Sequence, residues 1–190
     1  MTTFDDEADR EHERDQREAR VAAVRRARPE RLRTPGVLHP KVAAWVDRLA
    51  QGSAENLLLR GEVGTGKTWS AWEALERAAV FWRKRWEFVS PADWQEVIDP
   101  PTVQADRDAL RRWRDVPLLI LDDLGAAQVN EWERKCLHKV VDERWAHARP
   151  TVVTYNLQSL ETAYGERIGS RLTGGATRVD FAGPDRRRTR

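Results

Sequence analysis

Cysteine is nearly absent from this chain. Cys136 is its single example, which excludes an internal disulfide and any zinc site built from several thiolates. Long apolar runs are missing as well, and none approaches the roughly 18 residues needed to span a bilayer. Met1 to Arg10 carries four acidic residues and no apolar stretch, so no signal peptide is expected and the protein reads as cytoplasmic, with no membrane partner. Large apolar residues are few before Pro35, Val21, Val24 and Leu32 among them. Pairs such as Asp6 with Arg10 and Glu13 with Arg17 suit a solvated helix. Residues 1–35 are therefore expected to form a charged arm, helical or disordered. No internal repeat is present.

What is abundant is charge and tryptophan. Charged residues make up 34% of the 190 residues against 40% hydrophobic, a balance that leaves part of the chain solvated around one α/β domain. The net charge of +2 hides a strong pattern. Residues 1–18 hold eight Asp or Glu against three Arg, whereas residues 20–33 hold six Arg against one Glu. Residues 184–190 form a basic tail. The nine tryptophans suit helix packing, because each buries a large area at small entropic cost.

The expected domain covers residues 36–183. Pro40 opens a helix in which Val42, Trp45, Val46 and Leu49 recur every three or four residues, ending near Gly52. A strand at 56–60 leads to a helix carrying Trp72, Leu75, Ala79 and Trp82, then a strand at 86–90. A helix over 91–98, a polar break at Pro100-Pro101 and a helix to Arg114 follow. The run at 117–121 has no alternation, as expected where helices cover both faces of a parallel sheet. Asn130 with Glu133 predicts the cap of a helix whose apolar face is Cys136, Leu137, Val140, Val141 and Trp145. A strand at 151–155, a helical region from Ser159 to Leu172 and a strand at 177–181 complete a three-layer α/β/α domain with five parallel strands.

Gly61-Glu62-Val63-Gly64-Thr65-Gly66-Lys67-Thr68 matches the phosphate-binding pattern G-x-x-x-x-G-K-[ST] and lies between a strand and a helix, where that chemistry requires it. Its glycines let backbone amides surround phosphates, the helix N-terminus adds positive potential, and Lys67 reaches the terminal phosphates. The expected ATP-contacting set is Gly61, Glu62, Val63, Gly64, Thr65, Gly66, Lys67, Thr68 and Trp69. About 55 residues downstream, the strand ending Leu121-Asp122-Asp123 supplies carboxylates. Thr68 and Asp122 are the expected Mg2+ side, and Asp123 the general base that polarises water. Thr154 and Asn156, at the end of a third strand, either reach the terminal phosphate or, for Asn156, cap the following turn.

Together these stretches, from about Arg33 to Arg187, resemble the AAA+ ATPases and within them the DnaC/IstB-like group. Thr151-Val-Val-Thr-Tyr-Asn156 and Gly165-Glu-Arg-Ile-Gly-Ser-Arg-Leu172 carry the resemblance beyond a generic P-loop protein. The resemblance implies a P-loop NTPase sheet in the order 5-1-4-3-2 and Asn156 as the sensor on the central strand. It also implies Arg171 as an arginine finger acting in trans within a homo-oligomer; by themselves, Arg167 and Arg171 read as surface pairs. From the resemblance a C-terminal lid is expected to be absent or vestigial: Gly183 to Arg187 resembles the end of the family's ATPase domain, where Arg186 or Arg187 stands in for the lid arginine or belongs to a solvated tail.

The function implied is an ATP-hydrolysing helicase loader that binds a replicative helicase through the arm and contacts single-stranded DNA. Arg83, Lys84, Arg85, Arg111, Arg112 and Arg114, with Trp86, Trp94 and Trp113, have the composition of a strand-binding groove or of helix faces and core. An IstB-like ATPase acting on duplex DNA for a transposase would share every motif. A small-molecule P-loop kinase is the third reading, with no Arg-rich lid for an acceptor phosphate to support it.

Overall fold

In the computed structural model, residues 3–98, 105–125 and 130–185 are described. Strands β1 (Leu57–Gly61), β2 (Trp86–Val89), β3 (Leu118–Leu124), β4 (Thr151–Tyr155) and β5 (Thr177–Phe181) form one sheet in the order β2-β3-β4-β1-β5. All four neighbouring pairs are parallel. Read from the other edge this is 5-1-4-3-2, as expected, and it places β4 between β1 and β3. The helices are α1 (Thr3–Ala27), α2 (Pro40–Ala50), α3 (Lys67–Ala78), α4 (Pro91–Ile98), α5 (Ala105–Asp115), α6 (Glu131–Ala146), α7 (Leu160–Tyr164) and α8 (Glu166–Thr173). Among the described residues no helix is long and apolar enough to cross a membrane.

The unbroken apolar runs follow from this layering, since alternate strand residues point to opposite faces and both faces are covered. Leu58, Leu119, Leu121 and Val153 pack with Trp94, Trp113, Leu137, Val140, Ile168 and Leu172 of α4, α5, α6 and α8. Leu57, Leu59, Leu118, Ile120 and Val152 face a second core with Val42, Trp45, Ala71 and Leu75 of α2 and α3. The expected cap of α6 is present: Asn130 Oδ1 accepts from the Glu133 amide at 2.8 Å. β3 runs three residues beyond the expected 121, with a register irregularity against β4 between Leu121 and Leu124. The Pro100-Pro101 break lies outside the described residues, as do Arg186 and Arg187.

One expectation is corrected and two are narrowed. Trp145 is not on the buried face of α6 but 60% exposed, and its neighbour Arg144 is buried instead. Carbonyls at the end of α5 and in the segments entering β3 and β4 converge here, and the Arg144 fork serves them. It donates to the carbonyls of Val116 (2.6 Å), Pro150 (2.7 Å) and Trp113 (2.9 Å) and to Thr151 Oγ1 (2.8 Å). Second, Trp94 and Trp113 are core, their rings stacked with centroids 5.3 Å apart. Trp86 lies edge-on to Trp72. The first two of these indoles are thus committed to packing rather than to stacking on bases, while Arg83, Lys84, Arg85, Arg111 and Arg112 remain exposed.

Third, packing begins before residue 36. Val24 is wholly buried, and α1 lies along α3. Arg28 is buried between Glu73 (3.1 Å) and Glu76 (3.0 Å), Arg25 pairs with Glu76 (2.6 Å), and Arg20 donates to the last carbonyls of that segment, Ala79 and Val80. Arg25 and Arg28 thus dock on one acidic helix face and Arg20 just beyond its end, while Arg26, Arg31 and Arg33 stay exposed. Residues 9–19 of α1 are exposed.

Candidate functional site

Everything in this site hangs from the C-terminal tips of three adjacent strands. β1 ends at Gly61, which is registered beside Phe181 of β5 so closely that a Cβ at position 61 would stand 2.3 Å from the Phe181 carbonyl oxygen. The chain then turns through Gly64 (φ 80°) and Gly66 (φ 103°), the latter the N-cap of α3. Positive φ is costly for any residue with a Cβ, so the glycine spacing is what lets a strand become a helix within five residues. Thr65 Oγ1 donates to the Glu62 carbonyl at 2.8 Å and braces the turn from within.

Lys67 is the first residue of α3 and is 7% exposed. Its Nζ donates to the carbonyls of Gly61 (2.7 Å) and Glu62 (2.9 Å), so the ammonium sits inside the loop against the strand end. Thr68 follows on the sheet side, and its Oγ1 donates to Asp122 Oδ1 at 2.9 Å. Trp69 points the other way, donating from Nε1 to the Thr34 carbonyl at 2.9 Å and lying beneath Arg28 at 5.6 Å. The segment 34–37 thereby passes beside the loop, and Val37 there is 92% exposed. Trp69 is a bracket for this segment, a contact between residues 35 apart that no local pattern reveals.

The carboxylates stand across from the loop. Asp122 Oδ1 accepts a second bond, from Thr154 Oγ1 of β4 at 2.6 Å, and the same hydroxyl accepts from the Asp123 amide at 2.8 Å. Burial pushes the Asp122 carboxyl up from its ordinary value, against the two hydroxyl bonds, which favour its charge, and Asp123 adds to the rise. Asp123 has φ 49°, where β3 loses register with β4; Asp tolerates the left-handed region better than most residues. Thr154 thus tethers both acids. Asn156 lies one residue past β4, exposed at the same end of the sheet, and makes no hydrogen bond to the described residues. The cap of α7 is Ser159, which accepts from the Thr162 amide, and not Asn156.

Glu133, identified from sequence as a capping partner, has a further place. It is 4% exposed, and its Oε1 accepts from Tyr164 Oη (2.8 Å) and Trp94 Nε1 (3.3 Å). Burial and this carboxylate push the Tyr164 hydroxyl far up. Glu133, Trp94 and Gln95 line a cavity of about 50 Å3 whose other wall is Asp122 and Asp123, room enough for water beside the two acids. Helix capping in the sequence hid this role.

Arg171 is not part of the cluster. Its guanidinium pairs with Asp142 of α6 and lies 4.9 Å from the Trp145 ring; Arg167 also reaches Asp142, at 3.0 Å. It borders a cavity with Asn56 and Thr151, at the opposite strand ends from the glycine loop. Five residues of β1 separate those ends, about 16 Å at the usual rise. Arg171 therefore does not serve its own chain's loop.

No cluster of three or more His, Cys, Asp or Glu side chains among the described residues can hold a metal by itself. Thr68 and Asp122 offer hard oxygen donors 2.9 Å apart, a set that fits Mg2+ completed by waters and phosphate oxygens.

Known proteins resemble this chain in sequence and in fold. The family model described as "IstB-like ATP binding protein" matches residues 6–165. An uncharacterized protein, YdaV of Escherichia coli K12, is 36% identical over 81 residues, 41% of this chain and 33% of that protein, so the match spans a third of the curated relative. Among solved structures, the DnaC helicase loader superposes with a TM-score of 0.65 at 20% identity, covering 80% of this chain and 96% of that one. DnaI gives 0.63 at 21%, covering 82% and 89%. The replication initiator DnaA bound to AMPPCP and single-stranded DNA gives 0.63 at 20%, covering 76% and 45%. These structural likenesses establish the AAA+ P-loop NTPase fold.

Proposed function

The chain belongs to the IstB-like ATP-binding protein family, and from that premise we propose that it is a Mg2+-dependent ATPase of the helicase-loader type. The observation that carries the hydrolytic part is the tie of Thr68 and Thr154 to one buried Asp122 oxygen, with Asp123 beside it at the strand tip. Holding phosphate and a cation needs one carboxylate here; a second beside it is free to act as a base toward water.

In this mechanism the loop amides and Lys67 hold the phosphates, with Glu62, Val63 and Thr65 shaping the loop and Val37 giving the base an apolar contact. Thr68 and Asp122 would hold Mg2+, which when bound would neutralise phosphate charge. Asp123 takes the proton of the attacking water, for which the cavity under Glu133 has room. Asn156 orients that water or the terminal phosphate from the neighbouring strand. Arg171 acts on the nucleotide of an adjacent copy, because its own loop is at the far end of β1.

Residues 9–19 of α1, exposed and with Glu13 paired to Arg83, are the part of the arm offered to a replicative helicase, whereas Val24, Arg25 and Arg28 are engaged by the body of the domain. Single-stranded DNA is held through its phosphates by Arg83, Lys84, Arg85 and Arg111, without stacking on Trp94 or Trp113. The protein is cytoplasmic. A second reading is an IstB-like transposition ATPase acting on duplex DNA, with the IstB-like family match as its support. The test is calorimetry with Mg-ATP on the native chain and on Lys67→Ala, followed by phosphate release with single-stranded DNA, duplex DNA or nucleosides. Expected are heat abolished by Lys67→Ala and stimulation by single strands. Stimulation by duplex alone selects the transposition role, phosphorylated nucleoside a kinase, and no heat from the native chain refutes nucleotide binding.

A further inference from the structure

Beyond β5 the chain crosses back over the glycine loop. Because Phe181 is registered with Gly61 and Gly183 turns the backbone (φ 123°), Asp185 is brought onto Gly64 by a tether of only four residues. A Cβ built at Gly64 would stand 1.8 Å from Asp185 Oδ1, 2.3 Å from its Cγ and 3.0 Å from its Cβ. The carboxylate is packed into the space that a side chain at position 64 would take. Gly64 is the middle glycine of the turn whose amides, together with the N-terminus of α3 and Lys67, make the positive field that draws phosphate.

We infer that Asp185 is an affinity-setting residue of this loop: its carboxylate occupies the Gly64 turn as an anion in cis, and the nucleotide's phosphates displace it on binding. This rests on the loop being the ATP site. Two negative groups beside one turn repel, and the interior of the loop screens them less than bulk water does. The side chain thus weakens the hold on ATP and ADP, favouring release, and it couples nucleotide occupancy to the position of the segment after β5. Sequence gives no hint of it, since 120 positions separate Gly64 from Asp185 apart from the pairing of β1 with β5.

The test is isothermal calorimetry of the full chain with Mg-ATP and with Mg-ADP, comparing native, Asp185→Asn, Asp185→Ser and Lys67→Ala proteins whose melting curves are recorded alongside. Removal of a unit charge at contact range tightens binding by about fivefold or more, so both Asp185 variants are expected to bind both nucleotides at least that much tighter, the melting curves showing each protein folded at the assay temperature. Equal or weaker binding by Asp185→Asn and Asp185→Ser, with native binding intact and lost in Lys67→Ala, overturns the inference; weaker binding makes Asp185 an acceptor for the nucleotide's own hydroxyls. Absence of heat from the native chain and from both Asp185 variants refutes the ATP site itself, and the inference with it.

Discussion

Asp122→Asn separates what the site costs the fold from what it does. Asp122 Oδ1 accepts two hydroxyls, from Thr68 at 2.9 Å and Thr154 at 2.6 Å, and an amide oxygen can accept both. What the substitution removes is a charge that burial disfavours and that stands beside Asp123. The raised carboxyl value means that the charged form is less favourable in the fold than in the unfolded chain. Stability from this group is therefore fully present below the unfolded value, 3.8, and is lost as pH rises through the higher folded value. At neutral pH and without divalent cation, Asp122→Asn should melt higher. A gain of about 1 kcal/mol corresponds to about 2–4 °C for a chain of this size. The assay is scanning calorimetry in EDTA from pH 4 to 8, where the gap between variant and native protein should open as pH rises. Added Mg-ATP should reverse the order, because only the native chain gains from the cation. A variant that melts below native protein at pH 7 in EDTA would show that hydroxyl bonding outweighs burial, and would refute the reasoning.

Asp123→Asn should keep Mg-ATP binding within about twofold and lower turnover by about 100-fold or more, the scale of a lost general base, as measured by phosphate release against calorimetry. Arg144→Met removes the donor to four buried acceptors and should destabilise the fold by about 3–5 kcal/mol, read from the urea midpoint. Arg171→Ala should leave ATP binding by the monomer unchanged and cut turnover of the assembled protein by about 1000-fold; undiminished turnover there would remove Arg171 from catalysis. Chains carrying Asp123→Asn mixed with chains carrying Arg171→Ala should recover activity, since each supplies what the other lacks at a shared site.

Local chemistry determined most of the frame. The phosphate loop is legible because a strand-to-helix turn with phosphate-directed amides needs glycine at fixed offsets, and the acids because they end a run that both faces of a sheet must bury. The number and direction of strands follow from the same hydrophobic runs, and the sheet order from resemblance. Tertiary structure alone decided contacts between distant segments of the chain. It seated Arg28 between two glutamates of α3, buried Arg144 where an apolar pattern pointed to Trp145, tied both acids to Thr154, gave Glu133 of the helix cap a second place in the wall of a cavity, and brought Asp185 onto Gly64. Periodicity reports which face of an element is buried, but a buried charge is specified by carbonyls and carboxylates contributed from elsewhere, and their positions exist only once the sheet has assembled.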